Sequence, residues 1–167
     1  GRDRTAQGAT RSLAPESIHS VTDHGDDIRR CWAEIDLDAL RHNAGAAATL
    51  AGNGSQLMAV VKADGYGHGI RETAEALKGH CQFLGVANLH EAKEVAPFVK
   101  DPSQVFLLGP ALPGERRSIA DAGFTICLSS RDEALAFNNI VSGSGNPLRR
   151  LPFHLAVDTG MGRIGFS

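Results

Sequence analysis

The sequence predicts an α/β fold built on parallel strands. Compact apolar runs suited to strands buried on both faces alternate with amphipathic helical stretches. The runs start about 20 to 29 residues apart, the period of one strand, one helix and two loops. Parallel strands of this kind either close into a (β/α)8 TIM-type barrel or spread into a doubly wound sheet, and both put their chemistry at the C-terminal strand ends.

Residues 1–31 are polar, mixed in charge and without period, which suits a flexible N-terminal extension or linker. The texture changes at Trp32. Trp32 to Asp36 suits a short strand, and Leu37, Leu40, Ala44, Ala47 and Leu50 then recur at helical spacing. Asp36 can cap that helix and Asp38 suits its first turn. The apolar runs follow at 57–61, 83–87, 105–108, 124–128 and 153–157. Stretches 70–78, 89–96, 115–122 and 131–140 supply the helices between them. Gly123 closes the third of these, and Ser130 with Glu133 has the spacing of a capping box for the fourth. Ser142 to Pro147 reads as a solvent loop within the series.

The chain has 167 residues, 42% of them hydrophobic and 22% charged, which suits a globular domain with a real core. A net charge of −2 with interspersed signs gives no footprint for nucleic acid or an anionic membrane. No apolar run approaches the roughly 18 residues that span a bilayer, so the expectation is a soluble, cytoplasmic protein without a membrane partner. Cys31, Cys81 and Cys127 are widely spaced and lack a C-x-x-C pair, and the seven histidines include no H-E-x-x-H; thiols in a reducing compartment and no metal site are expected. The sequence begins with Gly rather than Met and stops just after a glycine-rich motif, as if cut at both ends.

Two segments stand where chemistry belongs. In Lys62-Ala-Asp-Gly-Tyr-Gly-His-Gly69 a lysine leaves an apolar strand and enters a glycine-rich loop that opens a helix. Such a lysine is partly desolvated, which favours the neutral amine that imine formation or proton abstraction needs. The bland alternative is a lysine snorkelling at a strand end. Gly65, Gly67 and Gly69 allow close backbone approach at a helix N-terminus, where an anion such as phosphate is favoured. Tyr66, the chain's one tyrosine, offers a phenol in the same loop. The second segment, Asp158-Thr-Gly-Met-Gly-Arg-Ile-Gly165, follows the last run and contains G-x-G-x-x-G at Gly160, Gly162 and Gly165. A dinucleotide fingerprint belongs near the first strand of its unit, so this placement speaks against one. Arg163 is a permanently charged fork suited to a carboxylate or phosphate, with a surface ion pair as the plainer reading.

Together, Val60-Val-Lys-Ala-Asp-Gly-Tyr-Gly-His-Gly69 and Val157-Asp-Thr-Gly-Met-Gly-Arg-Ile-Gly165 resemble two signature segments of alanine racemases. Trp32 to Asn43, Gly85 to Ala92 and Leu107 to Pro110 are similar to the intervening family pattern, so the likeness runs from about Trp32 to the end. The resemblance implies a partial TIM-type barrel over residues 32–167, with about five parallel strands present, the barrel incomplete and the family's C-terminal β-domain absent. It implies pyridoxal 5'-phosphate held as a Schiff base by Lys62, which also serves as one of two bases exchanging the substrate α-proton. Tyr66 would bind the cofactor phosphate, and Arg163 would bind near the cofactor phenolate and the substrate carboxylate. The cofactor acts as electron sink while the protein orients.

The resemblance further implies an amino-acid racemase interconverting L- and D-alanine for peptidoglycan, homodimeric in full-length form. The opposite base in the family is a tyrosine from the C-terminal β-domain, so these residues alone are expected to be inactive. Ala156 stands where many members carry a lysine that becomes carbamylated and steers the arginine. Competing readings are a broad-specificity racemase or basic amino-acid decarboxylase on the same barrel, a non-catalytic cofactor carrier, and a nucleotide-binding domain using Gly160 to Gly165.

Overall fold

The computed structural model describes residues 33–166 except Asn53 and Pro147. The extension at 1–31, Cys31 and Trp32 lie outside the described residues. The first expected strand does not form over its described part: Ala33 to Asp36 pairs with no strand among the described residues. It serves instead to start a helix. Asp36 is the N-cap of α1 (Leu37–Ala51), its Oδ1 accepting from the Asp38 and Ala39 N–H groups, both at 2.9 Å. Leu37, Leu40 and Ala44 are half-buried, but no α1 side chain is fully buried and Leu50 is 88% exposed.

The five apolar runs become β1 (Met58–Val60), β2 (Phe83–Val86), β3 (Val105–Leu107), β4 (Ile126–Leu128) and β5 (Phe153–Leu155). Every pairing is parallel. Met58 faces Phe83, Leu84 faces Val105, and Ile126 faces Phe153. A single bridge, Phe106 to Thr125, joins β3 to β4, with Leu107 N–H on Thr125 O and Thr125 N–H on Val105 O, both at 2.9 Å. The resulting order is β1-β2-β3-β4-β5, with β1 and β5 at open edges among the described residues, an unclosed section of a (β/α)8 barrel.

Between β1 and β2 come α2 (Lys62–Gly67) and α3 (Ile70–Ala76); α4 (Leu89–Val95), α5 (Arg116–Ala122) and α6 (Arg131–Ser142) follow the next three strands. They bury Ile70, Ala74, Leu89, Ala92, Val95, Ile119, Ala120 and Phe137 against the sheet. This explains the continuous apolar runs in β2 and β3, which have helices on one side and the barrel interior on the other. The sheet is wrapped most fully at its centre. All three residues of β3 are buried, whereas Phe153 and Leu155 of the edge strand β5 are exposed. Gly123 ends α5 in the left-handed conformation, φ 77° and ψ 23°, as its position predicts.

Ser130 caps α6, accepting from Glu133 N–H at 3.2 Å. The reciprocal half of the expected capping box is not made. Glu133 turns its carboxylate toward the strand ends, accepting from Ala111 N–H at 2.9 Å, Ser129 N–H at 3.0 Å and Ser129 Oγ at 3.1 Å. It is buried, and a buried carboxylate must be surrounded by donors. Cys81 and Cys127 are free thiols. Burial pushes both thiols up in pKa, and the neighbouring Glu133 charge adds to the effect at Cys127.

Ile119, fully buried under the centre of the sheet, is the sharpest test of this packing. Ile119→Ala is expected to lower unfolding stability by about 2 to 5 kcal/mol, read as a shifted urea midpoint with an unchanged slope.

Candidate active site

Both candidate segments leave the sheet at the C-terminal ends of their strands, where a barrel of this kind carries its reactive groups. They do so at opposite edges of the five-strand section, Lys62 after β1 and Asp158 after β5. Lys62 and Tyr66 are brought into one loop. No hydrogen bond or ion pair among the described residues joins that loop to Arg163.

Lys62 follows Val61, which is 1% exposed, and is itself half-buried. The residues after it were expected to form an open glycine-rich loop. They wind instead into a left-handed turn, with φ/ψ of 53°/52° at Ala63, 54°/45° at Asp64, 61°/31° at Gly65 and 56°/36° at Tyr66. For non-glycine residues this handedness costs roughly 1–2 kcal/mol each, so the surroundings must enforce it. They do so through hydrogen bonds on every side. Gly65 N–H donates to Val61 O at 2.9 Å, Gly69 N–H to Asp64 O at 3.0 Å, and Ala63 N–H to Glu91 Oε1 at 2.9 Å. His68 Nδ1 lies 2.9 Å from Gly65 O, a group that can only accept, so Nδ1 carries a proton.

Packing favours glycine at 65. A Cβ there would lie 3.0 Å from Thr73 Oγ1, a buried hydroxyl with no hydrogen-bond partner among the described residues. Backbone strain that is over-determined in this way gathers at functional sites. The turn leaves Tyr66 61% exposed, its phenol available to a ligand.

The start of α3 does not offer phosphate the open helix terminus expected from Gly65, Gly67 and Gly69. Asp64 Oδ1 already takes the Ile70 N–H at 2.8 Å, and the Glu72 carboxylate lies beside Gly69. A phosphate there would meet two carboxylates. A third acidic residue, Glu91, reaches the loop from α4, a role its sequence position does not announce. Its only signal was its place three residues after the helix cap Asn88, a position that normally satisfies its own helix.

The second segment closes on its own base. Asp158 N–H donates to Phe166 O and Phe166 N–H to Ala156 O, both at 2.8 Å, so the chain returns beside Val157 instead of opening a helix at the glycines. This removes the helix N-terminus on which a dinucleotide fingerprint relies. Asp158 Oδ1 gathers the loop, accepting from Gly160 N–H at 2.9 Å and Gly162 N–H at 3.1 Å, and these donors hold its carboxyl below the usual carboxylate range. Gly165, at φ 132°, has no room for a side chain: a Cβ would lie 2.6 Å from Asp158 N. Arg163 is exposed at the rim and has no ion pair among the described residues. Ala156 contributes backbone alone, its N–H on Leu128 O at 2.9 Å.

A family profile described as "Alanine racemase, N-terminal domain" matches residues 35–167. An alanine racemase of Desulforamulus reducens is 41% identical over 138 residues, covering 81% of this chain and 36% of its own length. The chain thus spans little more than a third of that relative. The crystal structure of an alanine racemase from E. faecalis superposes with a TM-score of 0.70 at 34% identity, covering 79% of this chain and 35% of that one. An alanine racemase from Bartonella henselae, with covalently bound pyridoxal phosphate, matches in fold with a TM-score of 0.70 at 24% identity, over 80% of this chain and 38% of that one.

Two outcomes test the second loop. Because the Asp158 carboxyl is held low, its contribution is complete above the ordinary aspartate value of about 4 and disappears as pH falls through the lowered one. Amide exchange at Gly160 and Gly162 is expected to accelerate only below that range. Gly165→Ala is expected to break the 156–166 closure, seen as fast exchange at the Asp158 and Phe166 amides at neutral pH.

Proposed function

Because the chain belongs to the alanine racemase N-terminal-domain family, we propose that it is the cofactor-holding part of a pyridoxal-phosphate-dependent enzyme that interconverts L- and D-alanine. The observation that carries the reading is Lys62: a half-buried primary amine at the end of an apolar strand, followed by a strained turn that presents a phenol.

The donor set suits pyridoxal 5'-phosphate. Lys62 would hold the cofactor through Nζ, the Tyr66 hydroxyl would donate to its phosphate, and Arg163 would pair with its phenolate oxygen. When bound, pyridoxal phosphate supplies the electron sink that makes the substrate Cα–H acidic. Lys62, with Nζ released, would take or return the proton on one face of that Cα, as a positioned amine of this kind can. Arg163 would also bind the substrate carboxylate, for which its planar fork suits two parallel hydrogen bonds. The guanidinium thus fixes which bond faces the base.

The base for the other face would be a tyrosine of a C-terminal β-domain contributed by the partner in a homodimer, as family resemblance implies. On this reading residues 1–167 carry one base of two and do not racemise alanine unaided. The complete enzyme would work in the cytoplasm, supplying D-alanine for peptidoglycan.

The purified chain mixed with pyridoxal phosphate is expected to develop a visible absorbance band that borohydride abolishes, leaving the reduced cofactor on the Lys62 peptide. Lys62→Ala is expected to show neither. Tyr66→Phe should keep the band but weaken cofactor affinity about tenfold, the loss of one hydrogen bond to a charged group. A folded wild-type chain that gives no band overturns the reading.

A further inference from the structure

We propose that Glu91 is the positioning residue for Lys62, its carboxylate setting the direction in which the lysine leaves the sheet. The inference rests on Lys62 being the cofactor-holding amine. Lys62 is held from both sides by the neighbouring strand-helix unit. Before it, Val61 N–H donates to Gly85 O at 2.8 Å; after it, Ala63 N–H donates to Glu91 Oε1 at 2.9 Å. The second bond fixes the peptide plane between Lys62 and Ala63, and so the start of the left-handed turn at Ala63, a conformation alanine does not keep unaided.

The carboxylate is itself fixed. Its Oε2 accepts from Ala87 N–H at 2.7 Å, and Asn88 Oδ1 accepts from Glu91 N–H at 3.0 Å. A charged acceptor shared by two strand ends is short and directional.

The fold contains a second copy of the device that serves as a control. Glu133 also follows a helix cap by three residues, bonds the amide four residues before it and reaches the loop after the preceding strand, at Ala111. No amine precedes Ala111: the residue there is Pro110. Glu133 is buried and Glu91 only half-buried. If both were mere staples, loss of Glu133 would do the greater harm in every measurement. Positioning predicts a crossed pattern, with stability governed by Glu133 and lysine chemistry by Glu91.

The test compares wild type, Glu91→Ala, Glu133→Gln and Lys62→Ala in the full chain. Folding is followed by circular dichroism and thermal midpoint. Pyridoxal phosphate is reduced onto lysines with cyanoborohydride, and Lys62 labelling is scored by peptide mass against Lys78, Lys93 and Lys100. The expected result is that Glu91→Ala stays folded and loses about tenfold or more of the preference for Lys62, while Glu133→Gln melts earlier yet keeps it. A folded Glu91→Ala with wild-type preference overturns the proposal. If Glu91→Ala does not fold, Glu91→Gln, which can satisfy only one of the two amides, is read by the same criterion. Wild type with no preference for Lys62 would overturn the cofactor reading and this inference with it; preference that survives loss of Glu91 overturns the positioning role alone.

Discussion

A parallel sheet ends all its strands at one edge, and the backbone amides just past the ladder there must still find acceptors. In this protein two glutamates meet that demand in pairs, Glu91 for the exits of β1 and β2 and Glu133 for those of β3 and β4. Each sits on the first turn of a helix, where its negative charge is also favoured by the helix dipole. Because each carboxylate joins two successive strand ends, the loops that rise from them are held relative to each other. The candidate active-site face is an outcome of this arrangement.

The left-handed turn after Lys62 depends on it most. Three of its four left-handed residues are not glycine, and the turn is held by the hydrogen bonds of Glu91, Asp64 and His68, with Thr73 leaving little room for a side chain at Gly65. What the turn achieves is presentation: the lysine leaves the sheet directly after the buried Val61 and the phenol of Tyr66 is brought to the surface within the same loop. The loop after β5 solves its own closure differently, with Asp158 gathering the glycine amides and Gly165 letting the chain return against Val157. One loop adds a long-range bond from Glu91 to its own local ones, and the other is closed by Asp158 and its own backbone alone.

Much of this was legible in the sequence. Five apolar runs at a regular interval gave five parallel strands, with boundaries that shrank by one or two residues where ladder pairing stopped. Asp36, Gly123 and Ser130 act at the helix ends where their side chains or lack of one suited them. The strand expected before Asp36 did not form over residues 33–36, because alternation alone supplies no partner strand. The open phosphate site expected at α3 is closed because Asp64 caps that helix from six residues away, across a backbone turn that no periodicity encodes.

The sequence by itself determined the alternation of strands and helices from Met58 onward and their parallel topology, because these follow from apolar period; Lys62, Tyr66 and Arg163 stood out as candidates through two motifs whose roles the family resemblance implies. Only the tertiary structure decided what Glu91 and Glu133 do. Their spacing from Asn88 and Ser130 suits capping boxes, yet both carboxylates point at amides 28 and 22 residues earlier in the chain. The physical reason is that a helix start can fray and still find water, whereas strand ends crowded together on one face of a sheet need acceptors from the protein itself.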